Sequence, residues 1–259
     1  VKHPVLFVSH GAPTLPIEPG ETGAAWRELG EHLVKPKAIL VISAHWATRV
    51  PTASTSTRPE TLHDFTGFPA ELYRLSYPAS GAPNIAGDAV SLLRHAGIHA
   101  QADESRGLDH GAWVPLMFLF PEADIPVTQL SIQADLDPAW HFSLGRALRP
   151  LREQGVLIIA SGSITHNLRA LFAHPQGQAV PAWVSSFGDW MSDKIAAGDV
   201  EALLRYRDLA PFAAQNHPTD EHLLPLFVAL GAADDIAAAS HLNRVMTYGI
   251  LAMDAWRFD

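Results

Sequence analysis

Histidine is the residue type in excess in this 259-residue chain, with 14 copies and no cysteine. A neutral imidazole can ligate a metal or move a proton near neutral pH. Without thiolates or disulfides, any metal must be held by imidazole, carboxylate or backbone oxygen. Two histidines end short β-branched runs: His10 follows Pro4 to Ser9 in SHGAPT, and His45 follows Ala38 to Ser43 in ISAHW. In open α/β sheets ligands gather beyond the carboxyl ends of strands, so a polar residue just past a buried run is well placed for chemistry. Either residue alone reads more readily as a hydrogen-bonded structural histidine. Two in equivalent positions read as a metal pair. Gly11 permits a tight turn after His10, Pro13 stiffens the exit, and Trp46 can wall an apolar pocket.

His166, in ASGSITHNL, leaves the run Val156 to Ser161 through a small polar turn and reaches the same rim. His110, in GLDHGAWVPL, sits in a Gly-flanked loop before an apolar helix, and reads equally well as a helix-start residue. The segment NHPTDEHLLPL gathers His217, Asp220, Glu221 and His222 at an expected helix start. On a helix, Glu221 and His222 would point about 100° apart, so one of the two would supply a third ligand. The competing reading is that Asp220 and Glu221 only complement the helix dipole. His63, in LHDFTGF, and His241, near Asn243, are secondary candidates. His3, His32, His95, His99, His141 and His174 are expected to be solvated or packed.

The elements that must position these residues read as α/β. Strands are expected at Pro4 to Ser9, Ala38 to Ser43, Val127 to Ile132 and Val156 to Ser161, with a late one within Arg244 to Ala252. Helical spacing covers Gly23 to Leu33, Asn84 to His95, Pro138 to Arg152, Ala182 to Ala197 and Asp220 to Ala229. Asp137-Pro138 and Thr219-Asp220-Glu221 offer helix caps. This alternation predicts one domain over residues 1–259, with a central, mostly parallel or mixed sheet flanked by helices. Between Pro51 and Gly81 the chain is rich in Thr, Ser, Pro and aromatics. It reads as an ordered functional loop with at most a short strand.

Composition narrows the partners. Apolar residues make up 47% of the chain and charged residues 17%, enough for a large core. A net charge of -9 offers no basic field for a phosphate backbone, so nucleic-acid binding is not expected. Apolar runs are too short to span a bilayer, and the start VKHPVLFVSHG has no signal-peptide pattern, so the expected location is cytoplasmic. No feature specifies an oligomeric state. The phosphate loop, the dinucleotide fingerprint, the nucleophile elbow and the H-E-x-x-H helix are all absent, which removes weight from phosphoryl transfer, nicotinamide chemistry and serine hydrolysis.

Six motifs occur in a telling order: SHGAPT, ISAHW, HDFTGFPAELYRLSYPASG, GLDHGAWVPL, SGSITHNL and HPTDEHLLPL. Together they resemble the class III extradiol ring-cleavage dioxygenases, in the DOPA 4,5-dioxygenase-like branch, over roughly His3 to Leu226. The resemblance implies a non-haem Fe(II) enzyme that opens a catechol next to its hydroxyls and inserts both atoms of O2. It implies that His10 and His45 are metal ligands and that HPTDEHLLPL supplies the third, His222 with Glu221 as the alternative. It makes His166 and His110 the histidines that handle protons and position the substrate, with His166 close enough to coordinate metal. The aromatics Phe65, Phe68, Tyr73 and Tyr77 are expected to flank the planar ring. An all-histidine site also suits Zn(II), which would be inactive in ring cleavage. Two other readings stand beside this one: a zinc hydrolase, and a non-catalytic metal-binding member of the same fold.

Overall fold

The structure is a computed structural model, and it describes residues 1–174 and 177–259. Its centre is a run of parallel strands whose residues are nearly all buried. These are β1 (Val5–Ser9), β2 (Ala38–Ala47), β5 (Val127–Ile132) and β6 (Val156–Gly162), ordered β5-β2-β6-β1. Such runs are almost continuously apolar because helices cover both faces. One edge is extended by β3 (Thr52–Ser54), antiparallel to β5, and by β4 (Gln101–Asp103). The other edge carries β10 (Ala255–Phe258), antiparallel to β1, and β7 (Ser240–Asn243). The result is an eight-stranded mixed sheet in a single α/β domain, as the alternating pattern predicts.

Alternate strand residues serve two cores. Leu6, Val8, Ile39, Val41, Leu157 and Ile159 face one layer, where Trp26 of α1 (Gly20–His32) packs with Trp113 and Leu116 of α3 (His110–Leu119). Phe7, Leu40, Ile42, Ile158 and Ala160 face the other. That layer holds α2 (Pro83–His95), α4 (Pro138–Leu148), α6 (Ala182–Ala196) and α10 (Leu224–Ala232). Short helices α5 (Leu168–Ala173), α7 (Val200–Leu204), α8 (Tyr206–Leu209) and α9 (Ala213–Asn216) fill the connections around α6.

Several expectations are corrected. The late strand expected within Arg244 to Ala252 is a two-stranded hairpin, β8 (Met246–Thr247) with β9 (Leu251–Ala252), which turns at Tyr248 and Gly249. The strand that joins the sheet is β10, just beyond it. The helix expected from Asp220 begins four residues later, at Leu224, with Pro225 in its first turn. Asp220 to Leu223 form a turn, so the argument that Glu221 and His222 diverge as helical neighbours does not apply. β2 continues past Ser43 through His45, and His110 is the first residue of α3 rather than part of the loop before it. The Pro51 to Gly81 region is ordered and contains β3, the short strand that was allowed for.

Candidate metal centre

The carboxyl ends of β1, β6 and β2 lie side by side, and each contributes to one cluster. His10 leaves β1 with its backbone N–H donating to Gly162 O at 3.0 Å, and Gly11 turns the chain away at φ +69°. His45 projects from the end of β2. His222 arrives from the turn before α10, because its carbonyl docks on the end of β6 and accepts from Ser163 N at 2.8 Å. Gly162 makes that docking possible: a Cβ there would lie 2.1 Å from His222 O.

Three imidazole nitrogens meet at this point. His45 Nε2 lies 3.0 Å from His10 Nε2 and 3.3 Å from His222 Nε2. Groups behind each ring determine which nitrogen carries the proton. Ser161 Oγ donates its one hydrogen to Gly111 O, so at 3.0 Å it can only accept from His10 Nδ1. Glu221 Oε1 accepts from His222 Nδ1 at 3.1 Å, and Asp64 Oδ2 faces His45 Nδ1 at 3.6 Å. His10 and His222 therefore hold the proton on Nδ1, and with His45 protonated toward Asp64 in the same way, three bare Nε2 lone pairs face one another. Such an arrangement repels itself unless a cation sits among the nitrogens. Two nitrogens each about 2.1 Å from one ion, at angles of about 90–110°, lie roughly 3.0–3.4 Å apart, which is the spacing seen. The donor set and its outer carboxylate and hydroxyl partners thus fit a divalent metal.

Electrostatics agree. Burial, reinforced by the neighbouring imidazoles, pushes the pKa of both His10 and His222 well below the ordinary histidine value. Burial and His110 bring His45 down to about 4, so all three are neutral near pH 7, the state a metal requires. Asp64 is pulled the other way. Burial alone would raise it, but hydrogen bonds from His110 and the nearby His45 hold it at about 2.

His110 and His166 flank the three. His110 Nδ1 donates to Asp64 Oδ2 at 3.0 Å, and its ring lies 3.9 Å from that of His45. His166 stacks flat on His222, centroids 3.4 Å apart and planes 8° apart. It groups with Glu221 and His222 rather than with His10 and His45 as a ligand set. Burial lowers its pKa to about 4. Glu221, the alternative third ligand, points at the back of the His222 ring, away from the convergent nitrogens.

A cavity of about 700 Å³ opens onto these five histidines. Phe65 and Phe68 line it, but Tyr77 donates to Phe120 O within the core and Tyr73 sits behind Phe65, so half of the expected aromatic set is elsewhere. Trp46 is also not in the wall. It is buried, with the Arg106 guanidinium 5.1 Å above it. His174, expected to be solvated or packed, lines the cavity instead. His63 hydrogen-bonds Leu75 O and braces the aromatic loop, and His241 pairs with Asp254 at 2.6 Å on the β7–β10 edge. His217 is fully buried, with Nε2 donating to Ile164 O at 2.7 Å, so it supports the loop that carries His166. His141 is likewise a packed residue, bonded to Asp137 O and Gln133 N.

Sequence reasoning missed Asp64 and Ser161, whereas the constrained turn expected at Asp109 and Gly111 is present. Fully buried Asp109 accepts from Ser43 Oγ at 2.6 Å, Gln129 Nε2 at 2.9 Å and Arg106 Nη2 at 2.9 Å, and so ties β2 to the start of α3. A signal for Asp64 was present, because it stands directly beside His63 in HDFTGF.

The family model described as the catalytic LigB subunit of aromatic ring-opening dioxygenase matches residues 4–254. The chain belongs to this family. Relatives include the 4,5-DOPA dioxygenase extradiol of Beta vulgaris, 41% identical over 98% of this chain and 95% of that protein. The Escherichia coli K12 protein of the same name is 42% identical over 89% of this chain and 85% of its own. Dioxygenase tasH of Hapsidospora irregularis is 37% identical over 90% and 78% respectively. Among solved structures, uncharacterized protein JW3007 from Escherichia coli K12 superposes with a TM-score of 0.83 at 34% identity, covering all of both chains. This LigB-family protein is therefore an aromatic ring-opening dioxygenase of the DOPA dioxygenase-like branch. Membership displaces the hydrolase and non-catalytic readings.

Proposed function

We propose that this dioxygenase cleaves a catechol in the extradiol sense at a metal held by His10, His45 and His222, with Fe(II) as the active ion. The observation that carries this reading is the set of three Nε2 atoms converging at 3.0 and 3.3 Å, with the protons of His10 and His222 anchored on the far side of their rings. His10, His45 and His222 would hold the ion, and iron would supply Lewis acidity and redox capacity toward a diol and O2. Zinc fits the same nitrogens and is expected in some preparations.

The surrounding side chains do the rest. His110 is held with Nδ1 protonated, so its Nε2 is free to accept a hydroxyl proton from the diol. His166, neutral with its pKa lowered by burial to about 4, lines the same cavity and would serve as a second proton acceptor and later donor. Phe65 and Phe68 offer apolar faces to the ring.

The cavity is larger than a catechol needs, so a ring substituent is accommodated. Among the described lining residues Glu18 is the one fixed charge, with no Lys or Arg. Tyr248 Oη donates to Glu18 Oε2 at 3.2 Å and lies 3.2 Å from Thr14 Oγ1, which orients the carboxylate at the rim. That lining suits a catechol with an amine-bearing side chain, DOPA-like or smaller, over one with only a carboxylate. Anaerobic loading with Fe(II), followed by a catechol and air, tests the reaction. A yellow semialdehyde formed with matching O2 uptake is the expected result, and activity restored by zinc alone would overturn it.

A further inference from the structure

Asp64 touches both halves of the site. Its Oδ1 accepts from the His110 backbone N–H at 2.9 Å, its Oδ2 accepts from His110 Nδ1 at 3.0 Å, and the same Oδ2 faces His45 Nδ1 at 3.6 Å. A carboxylate offers only acceptors, so both His110 nitrogens hydrogen-bonded to it must carry a hydrogen. One side chain from the loop after β3 thereby sets the proton position of a pocket histidine while lying against a candidate metal ligand.

We infer that Asp64 is a positioning residue: it fixes His110 as the Nδ1–H tautomer, with Nε2 an acceptor toward the cavity, and orients His45 through the same oxygen. The backbone contact makes the claim sharp. The His110 N–H sits at the start of α3, where no intrahelical acceptor exists, so it needs an external one. In Asp64→Asn the amide oxygen must take that N–H, which turns the NH2 group toward His110 Nδ1. His110 would then have to accept at Nδ1 and carry its proton on Nε2. The base would be lost with almost no change in shape. An analogous carboxylate-to-amide exchange behind a catalytic histidine lowers kcat by about 10⁴ through the same tautomer reversal.

The tautomer does not depend on the ring-cleavage reading, whereas its effect on turnover rests on it. The experiment therefore has two readouts. Nitrogen-15 NMR of the metal-free protein labelled at the histidine rings reports which nitrogen of His110 is protonated, with His110→Gln assigning the signal. The expected result is Nδ1–H in the wild type, Nε2–H in Asp64→Asn and a return to Nδ1–H in Asp64→Glu. A wild-type His110 protonated on Nε2, or an Asn variant that keeps Nδ1–H, would overturn the inference, and the wild-type spectrum decides even if the Asn variant fails to fold. At saturating Fe(II), kcat is expected to fall at least about 100-fold in Asp64→Asn, with a much smaller change in KM and substantial recovery in Asp64→Glu. An unchanged kcat would also overturn it. A wild-type protein that cleaves no catechol would instead overturn the functional reading and leave the NMR result to judge the tautomer.

Discussion

Imidazoles that face one another through unprotonated nitrogens are uncommon in a protein interior, because a buried acceptor without a donor is costly. Here His10, His45 and His222 share that fault, and one cation would relieve all three. Substituting any of them by alanine should therefore abolish stoichiometric metal, as read by elemental analysis. Glu221→Gln should retain it, because Glu221 only holds the far nitrogen of His222. His166→Ala should keep the metal and lose most turnover. If it turned over like the wild type, His166 would not be a proton carrier. The same burial predicts a pH dependence. His45, His166 and His217 have folded pKa values of about 4, 4 and 3, below the ordinary 6.5. The unfolded chain thus binds more protons than the folded one between about pH 6.5 and 4, so stability falls as pH drops through that window. Thermal melts of the metal-free protein should show Tm declining from pH 6.5 downward, with added zinc opposing the decline. A flat profile would contradict the neutral, buried assignment.

Elements decide how accurately those residues meet, and the sequence shows the strands and long helices more clearly than the turns between them. The central strands were readable because burial on both faces makes them short apolar runs, and their ends marked His10 and His45. The turn carrying His222 was not, since Asp220-Glu221 imitates a helix start while Pro225 postpones the helix to Leu224. The roles of outer partners such as Ser161 and Asp64 were hidden for a different reason, even though Asp64 stands beside His63. A serine at a strand end or an aspartate in a loop has no periodicity to betray it, and its role exists only through contacts with segments far away in the chain. Gly162 belongs with them: its lack of a side chain lets His222 O seat on β6. Gly162→Ala should force that contact apart, costing about 1–3 kcal/mol of stability and weakening metal binding. Thermal unfolding and a zinc titration would check both. Unchanged affinity would mean that the His222 turn is positioned by other contacts.

At the scale of the whole molecule, the sheet brings β1, β6 and β2 together and the helices leave one large polar-floored cavity over their ends. The same architecture recurs in the solved relative at 34% identity, so the scaffold is shared. Glu18 and Thr14 come from the segment that runs from His10 to α1, and Tyr248 from the β8–β9 hairpin; none of the three is a candidate ligand. Selectivity for the side chain can therefore change without disturbing the histidines. Glu18→Gln should lower kcat/KM for amine-bearing catechols about tenfold, within the range for losing a charged hydrogen bond, and leave unsubstituted catechol nearly unchanged. An equal loss on both would remove Glu18 from substrate recognition.

The central claim is that three Nε2 atoms hold the ion that supports ring opening, and an anomalous-scattering crystal structure of the iron-loaded protein tests it most directly. A single iron peak bonded to Nε2 of His10, His45 and His222, with Glu221 and Asp64 outside bonding distance, is the predicted result. A peak held instead by Asp64 with His45 and His110, or by Glu221 with His166, would contradict it.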